Sequence, residues 1–542
     1  MVWDLLPADW NPSAWAGQWF LQTPLDAAAT TKCSPAGLSL PDITGVRILS
    51  IEASEQRNYT YIPGPFAAGL PGPPTPIPGL DFCNVTVTYT HPGWHDTVNV
   101  NTLLPAAERW NGRFAGIGGG NLATGGGMVA EFLMMPIMAS GFATATTDGG
   151  HSTDVLGPEA NDPSWALSSP GNVNWPLLVD FASVSLHDTA TIGKAVAEAF
   201  YGSAPAYSYF HGGSTGGRQG HMLAQRYPQD YDGIIALFPA VNWVRFFFAA
   251  FWPKFVMDQL RTYPRPCEFE AITAAVVAAC DGRDGVEDGI LSRIDLCDDF
   301  DPHDVVGKAV DCDGVQTTVS SAAADVIQAT WDGPRSATGE FQWYGFGKGT
   351  DLTQPLTGPI QVRCDGGESC GAEQLAVWAR YWVKKDPSFD IGAISHEEWD
   401  DLVHASVNEF DSVIGTSDPD LSAFKRRGGK MVNWHGTVDA AIPLNGSTDY
   451  YDRVLARDPE AQDYCRFFVA PGAGHCFNCG PSPPPTLDYI IDWVEKGVAP
   501  DTLRASGKNG HGVQVERDLC MYPKVQHYAG GDPTVASSFI CV

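Results

Sequence analysis

Ser214 stands in the run Tyr209-Phe-His-Gly-Gly-Ser-Thr-Gly-Gly-Arg-Gln219, which satisfies G-x-S-x-G as Gly212-x-Ser214-x-Gly216. A serine displayed on a sharp strand-to-helix turn needs small neighbours, because the backbone is strained there and adjacent segments come close. With 58 glycines in the chain the pattern alone is weak. Its context is stronger: an apolar strand over Ala206–Phe210 precedes it and a helix near Gly217–Arg226 follows. A serine hydroxyl is a poor nucleophile near neutral pH, so a histidine base and an orienting carboxylate must exist elsewhere. Asp439, in His435-Gly-Thr-Val-Asp-Ala-Ala-Ile-Pro443, directly follows the apolar run Lys430–Trp434; His475, in Pro471-Gly-Ala-Gly-His-Cys476, follows Arg466–Ala470. The oxyanion of a tetrahedral intermediate needs backbone N–H donors. The amide of Thr215, just after the serine, is one candidate. Gly119 or Gly120, in the turn Gly116-Ile-Gly-Gly-Gly-Asn121, supplies the other.

The elements that must position these groups alternate in type. Val46–Ile51, Val85–Tyr89 and Val98–Leu104 alternate apolar with polar residues and predict an antiparallel start. Arg113–Ile117 and Phe142–Thr147 read as buried strands, His187–Phe200 as a helix and Ile234–Phe238 as a further strand. Strands alternating with helices imply parallel βαβ units. From about Asn242 the rhythm is lost, with short helices predicted at Ala271–Ala279 and Glu373–Val383. It resumes with Lys430–Trp434, Arg466–Ala470 and a helix over Leu487–Lys496. We therefore expect an α/β-hydrolase domain carrying a large inserted lid: residues 1–240 the first part of the catalytic domain, 241–428 the lid, 429–542 the second part. The order Ser, Asp, His along the chain is that of α/β-hydrolases. The lid would cover the carboxyl ends of the strands, where open α/β sheets bind ligands.

Composition narrows the function classes. The 33 Lys+Arg stand against 63 Asp+Glu, a net charge of −30, which disfavours nucleic acid as a partner. The most apolar stretch, Gly233 to Met257, contains Pro239, Asn242, Arg245 and Pro253, so no membrane span is expected. There are 13 cysteines, of which only Cys476 and Cys479 have C-x-x-C spacing, so disulfides fit better than a zinc ribbon. An odd number leaves at least one thiol free or paired between chains. Sequons at Asn58, Asn84 and Asn445 agree with a secreted glycoprotein. No basic-then-apolar leader precedes Trp3, as expected once a signal peptide has been removed. A second cluster is acidic: Cys280-Asp281-Gly-Arg-Asp284-Gly-Val286-Glu-Asp288-Gly-Ile290 places three aspartates within eight positions. Such a set could offer a hard cation its oxygens, although the spacing is not that of an EF-hand.

HGGSTGGRQG, HGTVDAAIP and GAGHC, with the long insertion between the first two, resemble the tannase/feruloyl esterase family. WNGRFAGIGGG (Trp110–Gly120), TTDGGH (Thr146–His151), SLHDTATIGKA (Ser185–Ala195) and QRYPQDYDGI (Gln225–Ile234) extend the likeness from about Cys33 to Cys541. The resemblance implies an α/β-hydrolase with a calcium-bearing lid that hydrolyses phenolic esters, feruloyl or galloyl, of plant cell-wall or tannin origin. It maps Ser214, Asp439 and His475 onto the family triad. It assigns structural calcium to the side chains of Asp281, Asp284 and Asp288 and the carbonyls of Val286 and Ile290. It also implies disulfides Cys33–Cys83, Cys280–Cys297 and Cys520–Cys541, leaving Cys267, Cys312, Cys364, Cys370, Cys465, Cys476 and Cys479 open. One departure stands out. The family places a cysteine before the serine, bridged to one after the histidine; here position 213 is glycine, so that bridge cannot form.

Substrate selectivity is expected in the lid, where Phe246-Phe-Phe-Ala-Ala-Phe-Trp252, Trp343, Tyr344 and Trp382 could wall an aromatic pocket or simply fill the lid's core. The reading is a serine carboxylesterase with a weak lean to hydroxycinnamoyl esters, a tannase acting on galloyl esters being the alternative. A serine peptidase would use the same triad, but a closed aromatic lid disfavours a peptide chain. A catalytically silent, calcium-stabilised binding protein is the rival from another class. Retention of all three triad residues argues against it, and fluorophosphonate labelling separates the two.

Overall fold

The computed structural model describes residues 32–63, 76–154, 163–354, 357–360, 376–475, 480–484 and 487–542. Short, mostly apolar runs form its central strands, since such runs bury both faces only where helices cover both sides. Eleven strands share one sheet, numbered here along the chain: β1 Arg47–Tyr61, β2 Ile77–Thr90, β3 Val98–Pro105, β4 Arg113–Ile117, β5 Ala143–Thr147, β6 Tyr207–Gly213, β7 Gly233–Leu237, β8 Lys430–Gly436, β9 Cys465–Ala470, β10 Thr502–Lys508 and β11 Gln514–Met521. Their spatial order is β1-β2-β3-β5-β4-β6-β7-β8-β9-β11-β10. From β5 through β4, β6, β7 and β8 to β9 the pairing is parallel. Both flanks are antiparallel.

Each face of the sheet has its own core. On one, Phe114, Ile234 and Met431 meet Ile192 and Val196 of the helix Val184–Tyr201 and Leu223 of the helix Thr215–Arg226. On the other, Leu237, Val432 and Trp434 meet Leu133 and Met134 of the helix Gly127–Ala139 and Ile490 and Trp493 of the helix Asp488–Lys496. Burying such a side chain contributes about 1.5–3 kcal/mol.

The residues between β7 and β8 contain a long helix that hydropathy periodicity does not reveal. Trp243–Leu260 is apolar around most of its circumference and buried on nearly all sides, with Pro253 inside it. Phe246, Phe248, Phe251 and Trp252 lie in a core with Trp382 and with Trp399 of the helix His396–Phe410, a core that also takes in Leu178 and Phe181 from the chain before β6. Trp343 is buried too and Tyr344 half-buried. The short helix predicted at Glu373–Val383 takes π-type form over Trp378–Val383, and its start lies outside the described residues.

Cys33–Cys83, Cys280–Cys297 and Cys520–Cys541 are bridged, and so are Cys267 and Cys312. Cys465 is a free, buried thiol. Cys364, Cys370, Cys476 and Cys479 lie outside the described residues. Asn58 and Asn445 are exposed, whereas half-buried Asn84 accepts a hydrogen bond from Asn101 Nδ2 at 2.7 Å. No helix among the described residues is long and apolar enough to cross a membrane.

Candidate active site

Ser214 caps β6 at φ +60°, ψ −121°, a left-handed conformation a serine adopts only under constraint. Three backbone bonds hold it: its N–H donates to Leu237 O (3.0 Å), while its own carbonyl accepts from Arg218 (3.0 Å) and Ala240 (3.1 Å). The turn is closed by the N–H of Gly216 donating to Gly119 O at 3.1 Å. Gly212 is required by this packing, because a Cβ there would lie 2.6 Å from the carbonyl of Gly216.

β8 and β9 deliver the other two groups. His475 Nε2 lies 2.9 Å from Ser214 Oγ, and His475 Nδ1 lies 2.8 Å from Asp439 Oδ2. The serine hydroxyl can thus donate to Nε2 while Nδ1–H donates to the carboxylate. Asp439 is 2 % exposed, and its Oδ1 accepts the N–H groups of Ala441 and Ile442, both at 2.8 Å. His435 Nε2 lies 3.1 Å from its other oxygen and is hydrogen-bonded to Ile442 O, also at 3.1 Å. Burial alone would raise the pKa of Asp439, but His475 and His435 outweigh it and hold the carboxyl well below the usual carboxylate range. The aspartate therefore stays ionised. His435 is itself fully buried, its Nδ1 bonded to Ser447 Oγ at 2.9 Å. The sequence reading missed this residue, although its spacing four before Asp439 was visible.

The oxyanion expectation needs correction at one residue. The N–H of Gly119 donates to Gln219 Oε1 at 3.0 Å, and Gln219 Nε2 donates in turn to Thr124 O at 2.7 Å. Gly119 is therefore spent on anchoring its own loop. Gly120 forms an antiparallel bridge with Ala123. Thr215 is buried at the start of the helix after Ser214, its Oγ1 donating to Asn121 O at 2.6 Å, which ties the two candidate donor segments together.

The acidic loop lies elsewhere, in the insertion. Asp281, Asp284 and Asp288 are all buried. Gly289 N–H donates to Asp281 (2.8 Å), Ser292 N–H to Asp284 (3.1 Å) and Ile290 N–H to Asp288 (3.0 Å), while Arg517 pairs with Asp288. Asp281 Oδ1 is buried with no hydrogen-bond partner among the described residues. Burial above all, with the charges of Asp288 and Asp281 adding, pushes Asp284 up to about 6. An orphaned oxygen among repelling carboxylates fits a hard cation. Among the described residues, metal-type side-chain atoms converge within 4.8 Å only at His91, Asp96 and Asp180. There His91 Nδ1 sits 2.5 Å from Asp96 and Nε2 3.0 Å from Asp188, so the ring is already bonded on both sides. Those hydrogen bonds outweigh burial and raise His91 to about 9.

A family model described as tannase and feruloyl esterase matches residues 83–542. A probable feruloyl esterase of Arthroderma benhamiae is 40% identical over 520 residues, covering 93% of each chain. A tannase of Aspergillus oryzae is 29% identical over 526 residues, covering 85% of each. Among solved structures, a tannin acyl hydrolase from Aspergillus niger superposes with a TM-score of 0.81 at 27% identity, covering 94% of this chain and 95% of its own.

Proposed function

The chain belongs to the tannase and feruloyl esterase family and is a carboxylic ester hydrolase, and from that premise we propose a secreted serine esterase that cleaves hydroxycinnamoyl (feruloyl-type) esters through an acyl-enzyme. The observation that carries the mechanism is the pair of contacts at 2.9 and 2.8 Å linking Ser214, His475 and Asp439. His475 takes the proton of Ser214 as Oγ attacks the ester carbonyl, then gives it to the departing alcohol. Asp439 fixes the imidazole tautomer and stabilises the imidazolium. The amide of Thr215, with a backbone N–H of the turn Gly116–Asn121, receives the oxyanion. Water activated by His475 then frees the acid.

The feruloyl preference rests on the probable feruloyl esterase at 40% identity against the tannase at 29%. Acid release from methyl ferulate and methyl caffeate is expected to exceed release from methyl gallate. The reverse ratio would assign the protein to galloyl esters. Secretion is supported by four disulfides among the described residues.

The same reading gives the acidic loop a structural calcium, held by Asp281, Asp284 and Asp288 with the carbonyls of Val286 and Ile290. When bound, the ion would neutralise the loop's clustered charge; it takes no part in the ester chemistry. We expect EDTA to lower the melting temperature by a few degrees and excess calcium to restore it. A ligand confined to the folded state stabilises by about 2.7 kcal/mol at a hundredfold excess over its dissociation constant. An unchanged melting temperature, with no calcium by elemental analysis, removes the site.

A further inference from the structure

Asp439 and Ser214 hold His475 through its two ring nitrogens, at 2.8 and 2.9 Å, which leaves the imidazole free to rock about the line joining them. Something else must set the plane of the ring. Phe238, the residue after β7, is 4 % exposed and takes φ +30°. Its N–H donates to Trp434 O at 2.7 Å, fixing the backbone against β8. Its ring meets His475 at 5.0 Å between centroids and 61° between planes, and meets Trp434 at 5.1 Å and 68°. These are edge-to-face contacts, which resist rotation of either partner. The far edge of the same ring lies over Gly213, where an added Cβ would come within 2.6 Å of Cζ and 2.7 Å of Cε2. Gly213 is not among the positive-φ residues, so its backbone would accept a side chain. The ring of Phe238 is what excludes one.

We propose that Phe238 is a positioning residue for His475, and that Gly213 and Phe238 form one unit in which a phenyl ring is wedged between the nucleophile turn and the base. This rests on the esterase reading above, because it assigns Phe238 a role through His475. The wedge fixes the angle at which Nε2 faces Ser214 Oγ, and displacing reacting groups by about 1 Å can lower a rate roughly a hundredfold.

The test uses the full chain with methyl ferulate and a fluorophosphonate. Phe238→Leu should lower kcat by about 10- to 100-fold with KM within about twofold, and slow fluorophosphonate labelling by the same factor. The low-field proton of His475 Nδ1–H should broaden or disappear. Gly213→Ala should impair kcat by pushing on the ring, and Gly213→Ala/Phe238→Leu should be less impaired than the product of the two single losses, since the clash is then relieved. An unchanged kcat in Phe238→Leu, a loss confined to KM, or strictly multiplicative singles would overturn the inference. Should Phe238→Leu fail to fold, Gly213→Ala reads the same contact from the other side, and an unaltered kcat there overturns it equally. Wild-type protein that takes no label would instead refute the esterase reading.

Discussion

Ser214→Ala should be silent toward every ester that the wild type cleaves, with kcat reduced by about 10⁶-fold and no covalent adduct from a fluorophosphonate. Alanine removes the only atom that the imidazole can activate, Oγ at 2.9 Å from His475 Nε2. Folding should survive. The strained φ of Ser214 is imposed by bonds from its backbone to Leu237, Arg218 and Ala240, none of which uses the side chain. Undiminished labelling of the alanine variant would show that another residue is the nucleophile.

Asp439→Asn should cost about 10⁴-fold in kcat at neutral pH while leaving the fold intact. Asp439 receives two backbone N–H groups on Oδ1 and His475 on the other oxygen, with His435 Nε2 3.1 Å from that second oxygen. An asparagine placed there keeps one acceptor oxygen. If that oxygen keeps Ala441 and Ile442, the amide NH₂ faces His475 Nδ1 and forces the proton onto Nε2. The base then points a hydrogen, not a lone pair, at Ser214. KM should change little, because Asp439 is buried beneath the histidine. A loss below about tenfold would mean that the carboxylate does not set the tautomer.

The triad was legible in the sequence because each of its members sits at the end of a strand with its own local signature. Ser214 announces itself by the glycines its turn demands, and Asp439 and His475 by position after apolar runs that became β8 and β9. What escaped was decided by contacts between distant segments. Gly119 and Gly120 are alike in sequence, and only the side chain of Gln219, a hundred residues on, takes the first out of contention. Phe238 reads as the last apolar residue of a strand until its ring is seen against His475. The helix Trp243–Leu260 was invisible to periodicity because it lacks a polar face. The pair β10 and β11 went unpredicted although exposed and buried residues alternate along both, the period-two signal that marked the first strands; few of their buried positions carry the large apolar side chains that make such a pattern stand out. Of the cysteines, the Cys267–Cys312 bridge became apparent only once its helix and strand were adjacent.

The pairing of Arg517 with Asp288 has a mechanical consequence. Arg517 belongs to β11, near the sheet's edge, whereas Asp288 belongs to the acidic loop. The guanidinium is 1 % exposed and stacks on Phe539 at 3.9 Å. Beside it Gly289 and Gly510 touch backbone to backbone, with no room for a Cβ at either. Tearing such a contact apart strands a buried charge, which costs several kcal/mol. The acidic loop is thus fastened to the outer part of the sheet, and any motion that parted the two would have to break this buried ion pair and the close backbone contact beside it.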